Sequence, residues 1–293
     1  MKVEVSNLSK MYGDFCAVNN VSFNFQSGSI FCLIGRNGSG KTSIIRMMLG
    51  TLMKDGGKVL ADGKPLSEQL KRIGYLSEER GMYVKDTIIN QLIYFACLKG
   101  MNRKQARASA EKWLDRLGIL SRKNDKLETL SKGNQQKVQI ITALLHDPDI
   151  IFFDEPFSGL DPVNAKFFVD LLKELKEQKK CVLLSSHQLH LLEDVCDDLA
   201  IISCSNLIYY GSLKKLKEEK GGKKLIIKFT NVDNKNLEKI DYLESVENNE
   251  YIIRLTSERN CQNVISDLFK RGFEIETFEV IENTLNDIFI EME

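Results

Sequence analysis

The chain carries no excess charge of either sign: Lys+Arg and Asp+Glu both number 41, for a formal net charge of +0. A surface that binds nucleic acid broadly needs basic residues to displace counterions from phosphates, so no nucleic-acid partner is expected. No run approaches the ~20 apolar residues that cross a bilayer. The opening Met1-Lys2-Val3-Glu4-Val5-Ser6 has no apolar stretch of signal-peptide length. Any membrane role is therefore expected to fall to a second, spanning chain. The cysteines at 16, 32, 97, 181, 196, 204 and 261 are odd in number, with no CxxC pair and no Cys/His cluster of metal-ligand spacing. They read as reduced cytosolic thiols, mostly core fillers. No internal repeat is found. What is present is an ordinary globular composition, 43% hydrophobic and 28% charged over 293 residues, enough for one large domain and a small one.

Alternation at Val3 and Val5, and at Val18, Val21, Phe23 and Phe25, predicts a small β layer. The apolar run Ser29–Ile34 suits a strand buried on both faces. After a glycine loop, residues 42–49 predict a helix stopped by Gly50. Residues 86–117 predict a helical insertion: Asp86 caps a helix carrying Ile88, Ile89, Leu92, Ile93 and Phe95, and a second helix has Ala106, Ala110, Trp113, Leu114 and Leu117 on one face. Strands at Ile150–Phe153 and Val182–Ser185 flank a helix at Asn164–Gln178, which implies a parallel sheet with crossover helices. The expected division is a large α/β domain over 1–215 (helical subdomain about 84–146), a charged, glycine-bearing linker at 216–223, and a small α+β domain over 224–293. In the last, strands at Leu225–Thr230, Tyr242–Val246, Tyr251–Leu255 and Phe273–Val280, with helices at Leu237–Ile240 and Gln262–Arg271, give the order βαββαβ of a ferredoxin-like fold.

Gly35-Arg36-Asn37-Gly38-Ser39-Gly40-Lys41-Thr42 fits G-x-x-x-x-G-K-[ST], between a predicted buried strand and a helix whose first turn includes Ser43. Its glycines let backbone N–H groups curl around a β-phosphate at the helix N-terminus. Lys41 would reach the β- and γ-phosphates and the Thr42 hydroxyl would ligate Mg²⁺, so the expected cofactors are ATP and Mg²⁺. Downstream, the strand Ile150–Phe153 delivers Asp154 and Glu155 at its end. Asp154 suits the Mg²⁺ shell through water, and Glu155 is placed to polarise the attacking water.

Three further segments resemble the ABC ATPase family. Leu130-Ser131-Lys132-Gly133-Asn134-Gln135-Gln136 is similar to its LSGGQ signature, Ser158-Gly159-Leu160-Asp161 to its D-loop, and Ser186-His187 to its switch histidine. The resemblance covers residues 1 to about 215 and implies a head-to-tail dimer, formed by two copies or with a paired ATPase subunit. It further implies that Ser131 and Gly133 complete the partner's site, that His187 contacts the γ-phosphate in its own, and that Asp161 couples the two. Tyr12, in Met11-Tyr12-Gly13, matches the aromatic that stacks on adenine.

Two positions depart from the family pattern. Glu78 stands where a glutamine is usual near Mg²⁺; a carboxylate could ligate the metal, yet its charge repels ATP. Lys132 replaces the signature's first glycine and could lie near phosphate or point into solvent. The segment Glu78–Tyr83 taken with the signature resembles a bacterial exporter branch that includes sodium-extrusion ATPases, often with a small C-terminal domain. The chain is accordingly expected to be a cytoplasmic ATPase, peripheral on the membrane's inner face, that powers export through an integral membrane permease. The surface around Met82 and Tyr83, together with the 86–117 helices, would receive a coupling helix of that permease. The alternative is a non-transport ABC ATPase acting on a ribosomal or nucleic-acid machine; such proteins typically carry two cassettes or a long coiled-coil insertion, and neither is present. The transported molecule is not readable.

Overall fold

A computed structural model describes residues 1–79, 81–230, 242–247, 250–256 and 259–293. It divides into two compact units, Met1–Leu213 and Lys214–Glu293.

In the first unit, β1 (Lys2–Tyr12), β2 (Phe15–Gln26), β4 (Gly56–Ala61) and β5 (Lys64–Pro65) form an antiparallel sheet in the order β2-β1-β4-β5. The main sheet runs β10-β9-β3-β8-β7-β6, built from β3 (Ser29–Ile34), β6 (Ile73–Leu76), β7 (Ile150–Asp154), β8 (Cys181–Ser186), β9 (Asp198–Ser203) and β10 (Asn206–Ser212). Its strands pair in parallel, apart from β10, which runs antiparallel to β9. Every residue of β3, β7 and β8 is buried, as strands covered on both faces must be.

Period-two alternation sends neighbouring side chains to opposite faces. Phe31 of β3 stacks with Phe23 and Phe25 of β2, at 5.1 and 5.5 Å between ring centroids. Phe152 joins that cluster together with Ile44, Ile45 and Met48 of α1 (Lys41–Met48). Phe153 turns the other way and meets Phe168 of α5 (Pro162–Glu177) edge-on at 5.0 Å. Each such ring contributes about 1.5–3 kcal/mol by leaving water. The antiparallel layer and α1 thus cover one face of the sheet and α5 the other.

The insertion between β6 and β7 has its own core. Ile88 and Leu92 of α2 (Ile88–Leu98), Ala110 and Leu114 of α3 (Arg103–Arg116), and Val138 and Ile141 of α4 (Lys132–Leu144) pack together, with Trp113 half-buried against them. Asp86 does not cap α2. Thr87 occupies the N-cap position, and the Asp86 carboxylate accepts from the Thr87 amide at 2.7 Å, one residue too early to reach the helix's free N–H groups. The short helix α6 (Leu189–Leu192) follows β8.

Residues expected as a linker instead contain a helix, α7 (Leu213–Lys220), carrying the i,i+4 pairs Lys214–Glu218 and Lys215–Glu219. Alternating charges at helical spacing support a helix as readily as a solvated tether. In the second unit, β11 (Lys223–Phe229), β12 (Leu243–Glu247), β13 (Glu250–Leu255) and β14 (Ile275–Glu282) form an antiparallel sheet in the order β12-β13-β11-β14. That order, with first and third strands central, is the ferredoxin-like one. α8 (Cys261–Lys270) buries Val264 and Leu268 against Leu225, Ile227 and Ile253. The helix expected at Leu237–Ile240 lies outside the described residues. A final helix, α9 (Leu285–Met292), starts at a Thr284/Asp287 capping box.

All seven cysteines are free: Cys32, Cys181 and Cys196 buried, Cys16, Cys97 and Cys261 half-buried, Cys204 exposed. Among the described residues no helix is long and apolar enough to cross a membrane.

Candidate nucleotide site

Strands β3, β8 and β7 are adjacent and parallel, so their C-terminal ends share one edge of the sheet. Ile34 pairs with Ser186, and Asp154 with Ser185. The glycine loop leaves β3, the acid pair ends β7, and His187 follows β8, which is how three segments far apart in sequence meet. Ligands of open parallel sheets bind at this edge.

The glycine loop is shaped by exclusion of Cβ atoms. A methyl on Gly40, at φ +109°, would meet the Ala17 carbonyl oxygen at 2.5 Å. Gly38 also has positive φ, +81°, but faces open space. Lys41 is buried. Its Nζ donates to the carbonyls of Gly35 at 2.7 Å and Arg36 at 3.1 Å, and lies 3.6 Å from Glu155 Oε1.

The acids are held from several sides. Asp154 Oδ1 accepts from Ser185 Oγ at 2.5 Å and from Thr42 Oγ1 at 3.4 Å. Glu155 Oε2 faces His187, 2.8 Å from Nδ1 and 3.3 Å from the backbone N. The Glu155 backbone is left-handed, φ +49°, a conformation disfavoured for a side-chain-bearing residue. Its amide donates to the carbonyl and the hydroxyl oxygens of Ser185, at 3.1 and 3.2 Å. Asp154 Oδ2 and Glu155 Oε1 are buried without a hydrogen bond from the protein. Burial raises the Asp154 pKa, the hydrogen bonds from Ser185 and Thr42 oppose that rise, and the charges of Glu78 and Glu155 add to it. Burial, then the Asp154 charge, push the neighbouring Tyr75 hydroxyl up to about 12.

A pocket is lined by Tyr12, Asn37, Gly38, Gly40, Lys41, Thr42, Ser43, Glu78 and Glu155 from the expected set, joined by Phe15 and Ala17. Tyr12 and Phe15 pair across the β1–β2 turn, and both are exposed. Ser39 sits in the loop with its hydroxyl buried. Ser131, Gly133 and Asp161 are elsewhere. Ser131 caps α4, accepting from Asn134 N at 3.4 Å, and Asp161 caps α5, accepting from Asn164 N at 2.8 Å. A Cβ on Gly133 would lie 3.5 Å from Asn164 Nδ2, so the signature and the D-loop adjoin one another within the chain. Phe15, Ala17 and Ser185 escaped the sequence reading. Phe15 could have been noticed as an aromatic three residues past Tyr12, whereas Ser185 carries no local signal.

A buried strand, a glycine loop opening a helix, and a facing acid pair define a phosphate-loop nucleotide-binding ATPase domain. The sequence profile described as ABC transporter matches residues 18–158, and that of the DrrA1-3-like ATP-binding protein C-terminal domain matches 211–292. The uncharacterized ABC transporter ATP-binding protein YhaQ of Bacillus subtilis is 37% identical, over 98% of this chain and 97% of its own length. The bacitracin transport ATP-binding protein BcrA of Bacillus licheniformis is 30% identical over 99% and 96%. A solved structure, an ATP-binding subunit of an ABC transporter, aligns at TM-score 0.69 and 27% identity, covering 75% of this chain and 93% of that one. The chain belongs to the ABC transporter ATP-binding proteins, ATPases that couple ATP hydrolysis to transport.

Proposed function

We propose that this chain is the ATP-hydrolysing subunit of an exporter, working as a head-to-tail dimer on the cytoplasmic face beneath a separate integral membrane permease. The observation that carries the reading is Glu155, a buried carboxylate held between Lys41 at 3.6 Å and His187 at 2.8 Å beside the glycine loop. A carboxylate so fixed is suited to orient and polarise a water against the γ-phosphate. Lys41 would exchange its loop carbonyls for β- and γ-phosphate oxygens, the backbone of Gly35–Thr42 would wrap the phosphates, and Tyr12 would stack on adenine. His187 would hold Glu155 and reach the γ-phosphate. Ser131 and Gly133 of the opposite subunit would close the site, with Asp161 coupling the two.

Mg²⁺ binds through few protein oxygens, keeping its waters and sharing phosphates. The Thr42 hydroxyl and the unbonded, buried Asp154 Oδ2 fit such a site, with Glu78 in reach of the same pocket. When bound, the ion would offset charge building on the phosphate oxygens. The transport reading draws support from BcrA, whose name gives it bacitracin transport. Export draws on the likeness of the Glu78–Tyr83 and signature segments to an exporter branch.

The test is Glu155→Gln. Turnover should fall by about 10²-fold or more, ATP binding should persist, and the variant should accumulate as an ATP-bound dimer by light scattering. Near-normal turnover would overturn the role given to Glu155. Failure to co-purify with any membrane protein, in cells expressing the chain's genetic neighbours, would count against the permease.

A further inference from the structure

The acid pair depends on a residue that neither the glycine loop nor the signature supplies. Ser185 is fully buried on β8, directly opposite Asp154 in the parallel register. Its hydroxyl oxygen accepts from the Glu155 amide at 3.2 Å while its proton goes to Asp154 Oδ1 at 2.5 Å. One side chain therefore ties the backbone of one acid to the carboxylate of the other. The tie engages only Oδ1 of Asp154, which leaves Oδ2 buried and unbonded. It also supports the left-handed turn at Glu155, the turn that lets the Glu155 carboxylate face Lys41 and His187.

We propose that Ser185 is a positioning residue for the acid pair: it selects Oδ2 of Asp154 for the Mg²⁺ shell and holds Glu155 in register with the phosphates. This rests on the metal-side role proposed for Asp154. Ser186, equally buried but turned to the other face, accepts from the Gln188 amide at 3.0 Å and, among the described residues, bonds to neither acid, and so provides a matched control. Outer-shell hydrogen bonds of this kind change metal affinity or activity by about 10–100-fold when removed.

The experiment measures affinity for a fluorescent ATP analogue with and without Mg²⁺, alongside turnover, for the full chain and its variants. Ser185→Ala should keep metal-free affinity within about twofold and lose about tenfold or more of the gain in affinity that Mg²⁺ brings. With Mg²⁺ present, turnover should fall and KM for ATP should rise with the lost affinity. Ser185→Thr, which keeps the hydroxyl, should recover both. Ser186→Ala should leave the Mg²⁺ response unaltered. If Ser185→Ala does not fold, Ser185→Cys, similar in shape with a weaker donor, is read in the same way. An unchanged Mg²⁺ response and turnover in Ser185→Ala would overturn the proposal. So would a loss equal to that in Ser186→Ala, or failure of threonine to rescue. Asp154→Asn separates the two layers. If it abolishes the Mg²⁺ response while Ser185→Ala does not, only the Ser185 proposal falls. If it changes nothing, the Asp154 reading itself falls.

Discussion

His187 Nδ1 lies 2.8 Å from Glu155 Oε2, and the backbone N of the same histidine lies 3.3 Å from that oxygen. Two groups of one residue thus grip one carboxylate oxygen, leaving Oε1 toward Lys41. His187→Ala removes the ring and keeps the amide. Steady-state turnover should fall by about 10²-fold, while equilibrium ATP affinity changes by less than threefold or so, since the phosphate loop is untouched. Turnover within a factor of two of the parent would show that the ring is dispensable.

The two positive-φ glycines of the phosphate loop should respond unequally to alanine. Gly38→Ala meets open space and should cost only the strain of a left-handed residue, about 1–2 kcal/mol. Gly40→Ala adds a 2.5 Å clash with the Ala17 carbonyl, a backbone atom that cannot swing aside. Its loss should exceed that of Gly38→Ala by about 1 kcal/mol or more. Denaturant unfolding ranks the pair, and equal losses would contradict the packing described.

Tyr12 and Phe15 offer exposed rings at one end of the pocket, beside the β1–β2 turn. Tyr12→Ala should weaken ATP binding by about 1–3 kcal/mol, the worth of stacking a base on an aromatic ring. Phe15→Ala should have a smaller effect. Inorganic tripolyphosphate, lacking a base, should bind parent and both variants alike. A parallel loss of tripolyphosphate would mean the rings shape the loop rather than hold the base.

His146 is expected to limit acid stability. Burial first, and then the Lys99 charge, lower its pKa from 6.5 to about 4, and its Nε2 contacts the Ile73 carbonyl at 3.0 Å. A histidine depressed in the fold takes up protons more readily when unfolded. Its contribution is therefore complete above pH 6.5 and is lost progressively as pH falls toward 4. The upper bound is about 3 kcal/mol, reduced by partial solvent access. His146→Gln, which can still donate to that carbonyl, should flatten the pH dependence of Tm across this window. An unchanged slope would assign the acid sensitivity to other groups.

The parts of the site readable from sequence are those made by neighbours in the chain. Gly35–Thr42 carries its own geometry, and Asp154-Glu155 announces itself at the end of an apolar run. Ser185 is invisible at that level because its role follows from β7–β8 register, which pairs it with Asp154 across 31 positions. Of the fold, the buried strands β3, β7 and β8 were legible from composition alone. Strands β9 and β10 escaped notice: β9 is placed by long-range pairing with β3, and β10 joins it through a two-residue turn at Cys204 and Ser205 that has neither glycine nor proline to mark it. The stretch after Leu213 reads as a tether by its lysines and glycines, but its Lys–Glu spacing also suits a helix, and a helix forms. Windowed composition cannot separate those outcomes.

The order β9-β3-β8-β7 also bears on how the chain reaches its working state. Thr42 and Asp154 stand 112 positions apart, and the strand lying between theirs in the sheet, β8, follows both in sequence. Synthesis can deliver the phosphate loop early, yet its facing carboxylates are not locked until residue 187 has emerged and β8 has slotted between its neighbours. Nucleotide capture is therefore a late event in maturation, and fragments ending before β8 should not hold ATP. Protection of β3 and β7 amides from hydrogen exchange should rise together with ATP affinity, because both depend on the insertion of a single strand.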